Sequence, residues 1–266
     1  MNGKKVFSIL LSVVVLTVPV VAQSSGRDSS DSFSSSRTWT YAGIGGTVAV
    51  TAILVHYDQQ IYDELYAWEM NNPAVKKTSL VITNLGGGTF SAGLFAGFAG
   101  YGLIFKDKKA FEAGKIGIES FLFTGVAAQV FKHLCGRERP SNSTRPGGFW
   151  HGPSAFLHDP RGTEKRISSF DAFPSGHTTT VFSAATTIAD FYTEPWVSYT
   201  CYSLAALTGV SRVTESTHWL SDVFVGAIIG HYGAKLVEYW NYGSKGFAVQ
   251  PIADDHQYGL LLTVKF

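Results

Sequence analysis

Three short segments of this 266-residue chain carry residue types and spacings that can do chemistry. The first is Lys132-His-Leu-Cys-Gly-Arg-Glu-Arg139-Pro140. The second is Pro174-Ser175-Gly176-His177. The third is Ser211-Arg212-Val-Thr-Glu-Ser-Thr-His218-Trp-Leu-Ser-Asp222. Lys132 and Arg139 lie about two helical turns apart, and Pro140 ends their helix. Ammonium and guanidinium groups that converge on one spot need an anion, and phosphate fits the guanidinium fork. Ser175-Gly176 leads into a helix N-terminus, where free N–H groups and the helix dipole favour a phosphate. His218 and Asp222 stand at i and i+4, so they share one helical face. A carboxylate at that spacing can bond one imidazole nitrogen and leave the other free as a nucleophile. His177 is then available to protonate a leaving group.

Each cluster needs a helix end to present it. From Thr38 onward the pattern is helical, with six main stretches at 38–55, 79–105, 111–131, 178–192, 196–210 and 218–239, and a polar amphipathic segment at 58–72. Pro195 separates the fourth stretch from the fifth. Gly86-Gly87-Gly88 interrupts the second. No Lys-Ser/Thr follows it, so close helix packing or a kink explains it better than a phosphate cradle. Residues 246–266 alternate in character and read as a β-hairpin added to an all-α core. The loop at 140–174 lies between two of the clusters and should rim the site. In it, Phe149, Trp150 and Phe156 could line an acyl chain, while Arg145, Arg161, Lys165 and Arg166 could meet anionic head groups. His231 is expected in the core or at an interface, and His133 is expected to point away from the pocket. Cys135 and Cys201 can pair only if the fold brings them within disulfide reach.

Composition narrows the classes. Hydrophobic residues make up 45% and charged residues 15%, against about 25% charged in ordinary soluble domains. That excludes disorder for most of the chain. Lys+Arg 21 against Asp+Glu 20 leaves no basic field, so nucleic acid is not an expected partner. Mean hydropathy of +0.10 is high for a soluble enzyme and modest for a polytopic membrane protein. Lys4 and Lys5, the apolar run 6–21 and Val20-Val21-Ala22 read as an export signal. The expected organisation is a signal peptide at 1–22, a Ser-rich leader at 23–37, a helical domain at 38–242 and a hairpin tail at 243–266. The expected location is the cell envelope, membrane-associated with a periplasm-facing site, the alternative being soluble periplasm.

Taken together, the three clusters resemble the signature of the type 2 phosphatidic acid phosphatase (PAP2) superfamily, which also holds bacterial acid phosphatases and vanadium haloperoxidases. The pattern is Lys, six residues, Arg-Pro; then Pro-Ser-Gly-His; then Ser-Arg, five residues, His, three residues, Asp. Lys132, Arg139, Pro140, Pro174, Ser175, Gly176, His177, Ser211, Arg212, His218 and Asp222 match it without gaps. The resemblance implies a six-helix PAP2-like bundle and a phosphatase acting through a phosphohistidine. It implies that His218 attacks phosphorus, that Asp222 orients His218 and that His177 protonates the leaving oxygen. Lys132, Arg139, Arg212, Ser175 and Gly176 would then bind the phosphate. No metal or cofactor is called for, since three fixed cations do a metal's electrostatic job. Zinc on His177, His218 and Asp222 would be repelled by those cations, and Ser175 lacks the Gly-x-Ser-x-Gly elbow of a serine hydrolase. The expected substrate is a lipid phosphate. A soluble acid phosphatase and, further off, a haloperoxidase are the alternatives within the superfamily, and a module that binds a lipid phosphate without turnover is the alternative outside it. Oligomeric state is left open.

Overall fold

The computed structural model describes residues 33–156, 169–242, 246–254 and 257–265, with side chains described for 43–155 and 169–242. The expected signal peptide, the leader up to residue 32, and Arg161, Lys165 and Arg166 lie outside the described residues. Among the described residues there are seven α-helices: α1 (Phe33–Asn71), α2 (Pro73–Ile82), α3 (Gly88–Phe105), α4 (Lys108–Cys135), α5 (Gly176–Phe191), α6 (Pro195–Thr214) and α7 (Leu220–Tyr242). Two strands, β1 (Gly246–Asp254) and β2 (Gln257–Lys265), pair antiparallel, with Gly246 opposite Lys265.

The expected count of six helices is corrected to seven, for local reasons. No Gly or Pro stands between Val55 and Asn71, so the amphipathic segment continues α1 instead of forming a separate piece. Pro73 then takes the first position of α2, where its missing N–H costs nothing. The stretch 79–105 is split, because Thr83–Gly86 tightens into a 3₁₀ turn and Gly87 goes extended before α3.

Helix ends follow from their capping residues. Asp107 accepts a hydrogen bond from the Ala110 N–H at 3.1 Å and starts α4. Gly136 ends it in the left-handed region at φ 54°, where a side chain is strained. A Cβ at Gly136 would also lie 2.2 Å from the Gly152 carbonyl oxygen. Ser175 caps α5, its Oγ accepting from the Thr178 N–H. Asp222, in the first turn of α7, reaches back to the Trp219 N–H at 2.8 Å.

α5 is the central helix, packed against α4, α6 and α7, while α3 leans on α4. Leu54, Ile61 and Leu65 of α1 form a helical stripe that packs on Val213, Leu220 and Val223. The outer faces of α3 and α4 stay apolar: Leu103, Ile104, Phe105, Leu122 and Val126 are each more than half exposed. Among the described residues, α3 and α7 are the helices long and apolar enough to cross a membrane.

The glycine run packs the chain closely, as its lack of a following Lys-Ser/Thr suggested. A Cβ on Gly86 would lie 2.8 Å from both Cβ and O of His177 and 3.0 Å from Thr208 Cγ2. Gly86→Val should therefore destabilise the fold by about 1–3 kcal/mol and displace His177. Thermal melts should show the lowered midpoint, and His177 should change its NMR signals.

Candidate active site

The α4 terminus, the α5 N-terminus and the α6–α7 turn meet in one place. Lys132 is buried on the last turn of α4, and Arg139 follows the Gly136 break. Gly176 brings the second segment against the first: a Cβ there would sit 3.7 Å from Lys132 Cε. The Ser175 N–H donates to the Asp222 carbonyl at 3.0 Å, tying the second segment to the third. Ser175 Oγ is buried and engaged with Thr178, both through the Thr178 N–H and at 2.9 Å from Thr178 Oγ1.

His218 is fully buried, and its orientation has a different source from the one its spacing suggests. Nδ1 lies 2.7 Å from the Ala172 carbonyl and 3.7 Å from Asp222 Oδ2. A carbonyl only accepts, so Nδ1 carries the proton and Nε2 keeps its lone pair. Asp222 is close enough to act through its charge, but its oxygens are hydrogen-bonded elsewhere. Oδ2 takes the Trp219 N–H, and Oδ1 takes Arg137 Nη1 at 2.5 Å.

Arg137 lies beneath the site with no exposed surface. Its Nη2 donates to Asp58 Oδ2 at 2.7 Å and to the Gly147 carbonyl at 2.6 Å; its Nη1 also donates to Ser221 Oγ at 2.7 Å. Asp58, equally buried, accepts from both the N–H and the hydroxyl of Ser221. The guanidinium sits 4.6 Å from the Trp150 ring centre and 5.4 Å from that of Trp219. Trp150 therefore covers the Arg137 network and packs on Phe173. Arg145 lies over Phe149. Glu138, also buried, pins the loop by accepting from Thr144 N–H at 2.8 Å and pairing with His151 at 3.0 Å.

The cations that face the pocket each meet a carboxylate. Lys132 Nζ donates to the Asp171 carbonyl at 2.6 Å and lies 3.4 Å from its Oδ2. Arg139 Nε donates to Asp171 Oδ1 at 2.7 Å. Arg212 Nη1 donates to Glu215 Oε2 at 2.6 Å and to Thr83 Oγ1, while its Nε is buried with no protein acceptor. Burial, reinforced by Lys132, Arg139 and Arg212, holds the His218 imidazole well below its usual range. Burial and the same three cations lower His177 to about 4. Both rings are therefore neutral at pH 7.

His177 is half-buried and lines an open groove of about 920 Å³. Phe121, Leu122, Val126, Val130 and Leu134 of α4 line that groove. His133 also lies on its wall, with Nδ1 2.7 Å from the Gln129 carbonyl oxygen. His231 is in the core, beside Thr186 and Tyr202. Cys135 and Cys201 are free thiols.

The family model described as the PAP2 superfamily matches residues 116–245, a span that contains all three clusters. Over that span, just under half of its length, the chain is similar to the PAP2 superfamily. A lipid A 1-phosphatase of Porphyromonas gingivalis is 42% identical over 72 residues, which is 26% of this chain and 16% of that protein. A probable lipid phosphate phosphatase 4 of Arabidopsis thaliana is 33% identical over 136 residues, 44% of each protein. The chain spans well under two thirds of the length of these relatives. The solved structure of Aquifex aeolicus LpxE superposes with a TM-score of 0.50 at 19% identity, covering 69% of this chain and 95% of that one. That likeness establishes a shared fold.

Within this fold, the residues that motif reading passed over are Asp58, Arg137, Asp171 and the Ala172 carbonyl. Arg137 stands inside the first motif, so it could have been suspected. Asp58 left a fainter trace, as one acid within the apolar stripe Leu54–Ile61–Leu65.

Two outcomes are expected. Arg137→Leu leaves two buried carboxylates without their shared cation and should cost roughly 3–5 kcal/mol, measured by denaturant unfolding. Anion binding should raise the His177 pKa from about 4, because the bound charge offsets the three cations. Sulfate stays dianionic near pH 6, so its binding there should draw in a proton. Calorimetry in buffers of different ionisation enthalpy should detect that uptake, and His177→Asn should abolish it.

Proposed function

We propose that this chain is a phosphatase of lipid phosphomonoesters that works through a covalent phosphohistidine. The observation that carries this reading is the action of Lys132, Arg139 and Arg212 on one buried imidazole whose Nδ1 is held by a carbonyl. An uncharged imidazole near three cations suits attack on phosphorus, because the cations draw in the phosphate and offset negative charge as it builds.

In the proposed reaction the three cations hold the non-bridging oxygens, and the unpaired N–H of Arg212 Nε supplies one donor. The Gly176 backbone at the start of α5 supplies another contact through the helix N-terminus. Nε2 of His218 attacks phosphorus, a P–N bond forms, and the ester P–O bond breaks. His177, protonated once the phosphate is bound, gives its proton to the leaving alkoxide. Water then attacks phosphorus as His177 takes back a proton, the P–N bond breaks, and orthophosphate leaves. Asp222 stabilises the imidazolium-like state of His218 through its charge at 3.7 Å.

The lipid part of the reading rests on the apolar groove that His177 lines, where a leaving alcohol would lie. The exposed apolar faces of α3 and α4 and the composition of α3 and α7 support membrane association. Relatives named for lipid phosphates agree with such a substrate. Export by residues 1–22, with the site facing the periplasm, belongs to the same proposal.

Phosphate release from a panel of lipid and soluble esters in detergent tests it. Long-chain esters should be turned over more efficiently than short ones, and His218→Ala should lose at least about a thousandfold in kcat. Preference for soluble esters would move the reading to an acid phosphatase. Activity that survives in His218→Ala would remove it.

A further inference from the structure

Lys132, Arg139 and Arg212 share their surroundings with two carboxylates, Asp171 and Glu215. Three cations against two anions leave a net charge of about +1 before any ligand enters. Asp171 is the one of the two that touches two of the cations, meeting Arg139 at 2.7 Å and Lys132 at 3.4 Å. It differs in kind from the acids beneath the site. Asp58 and Asp222 are wholly buried, so their pairing is a condition of folding. The Asp171 side chain is 24% exposed and could meet water without a partner. Both cations also have an anchor besides its carboxylate, through the side chain for Lys132 and through the backbone for Arg139. Lys132 has the Asp171 backbone carbonyl at 2.6 Å, and the Arg139 N–H is tied to the Ser169 carbonyl.

We propose that the Asp171 carboxylate is a built-in competitor for the phosphate cage: it occupies Lys132 and Arg139 in the free protein and must be displaced by an incoming tetrahedral dianion. The proposal deepens the phosphatase reading and rests on it, since it concerns discrimination at the same site. An ester and orthophosphate present the same charged group to the cage, and only the ester adds an apolar part to the groove. By taking a share of the cage's attraction away from the charge, Asp171 lowers affinity for both. The groove restores affinity for the ester alone. The residue thus sets selectivity for substrate over released phosphate, and limits inhibition by product.

The test is orthophosphate binding to the full detergent-purified chain, followed by ³¹P NMR titration at low ionic strength, for wild type, Asp171→Asn and Asp171→Ser. Both variants should bind orthophosphate at least tenfold more tightly than wild type, and added salt should narrow the gap. The inhibition constant for phosphate should fall by a similar factor, while the KM for a long-chain ester falls less. Unchanged or weaker phosphate binding in the variants would overturn the proposal, because it would make Asp171 a scaffold for the cage. Failure of both variants to fold, seen in their melts, would overturn it too. Hydrolysis by wild type in the same preparation checks the underlying phosphatase reading separately, since the binding titration needs no turnover.

Discussion

One guanidinium, that of Arg137, holds the floor of the site together. It joins Asp58 on α1, Asp222 on α7 and the Gly147 carbonyl of the loop, and the rings of Trp150 and Trp219 lie within 5.4 Å of it. Two buried carboxylates on one buried cation leave an excess negative charge, and several kcal/mol of desolvation per ion must be offset. The hydroxyl and N–H of Ser221, the Trp219 N–H and the fork of Arg137 supply the offsetting hydrogen bonds. The result is a carboxylate held 3.7 Å from His218, whose ring also feels Lys132, Arg139 and Arg212. α1 thus belongs to the site although it lies outside the stretch that matches the family.

Helix ends do the rest of the positioning. α4 stops at a glycine whose conformation strains a side chain and whose Cβ position is crowded by the Gly152 carbonyl, so Arg137 and Arg139 follow on a constrained backbone. α5 begins on a capped serine whose N–H is tied to the Asp222 carbonyl. His218 falls just before α7, and its ring is set by the Ala172 carbonyl. Three helices therefore deliver their residues through backbone contacts, while the side chains of Lys132, Arg139 and Arg212 pair with Asp171 and Glu215. The same arrangement explains the neutrality of both histidines, since burial and the surrounding cations act together on each.

The all-α core and the meeting of the three clusters were legible because each depends on local pattern: apolar period, Pro and Gly punctuation, and motif spacing. Helix number was less so. Whether a polar amphipathic segment is a separate element or the continuation of α1 depends on packing against Val213, Leu220 and Val223, far along the chain. The partner of His218 was not legible at all. Every residue has a carbonyl, so nothing in the letter at position 172 marks its oxygen as the acceptor. Asp58 and Ser221 meet across 163 positions, and Arg139 and Asp171 across 32, with no motif linking them. Acids that lie between motifs look like solvated surface until the fold turns them inward.

The central claim is that His218 carries phosphorus during turnover. Rapid quench of the protein with a ³²P-labelled lipid phosphate, followed by alkaline digestion and peptide mapping, tests it most directly. The account requires an acid-labile, alkali-stable label on the peptide containing His218, absent from His218→Ala. Steady hydrolysis with no label on that peptide at any quench time would contradict it.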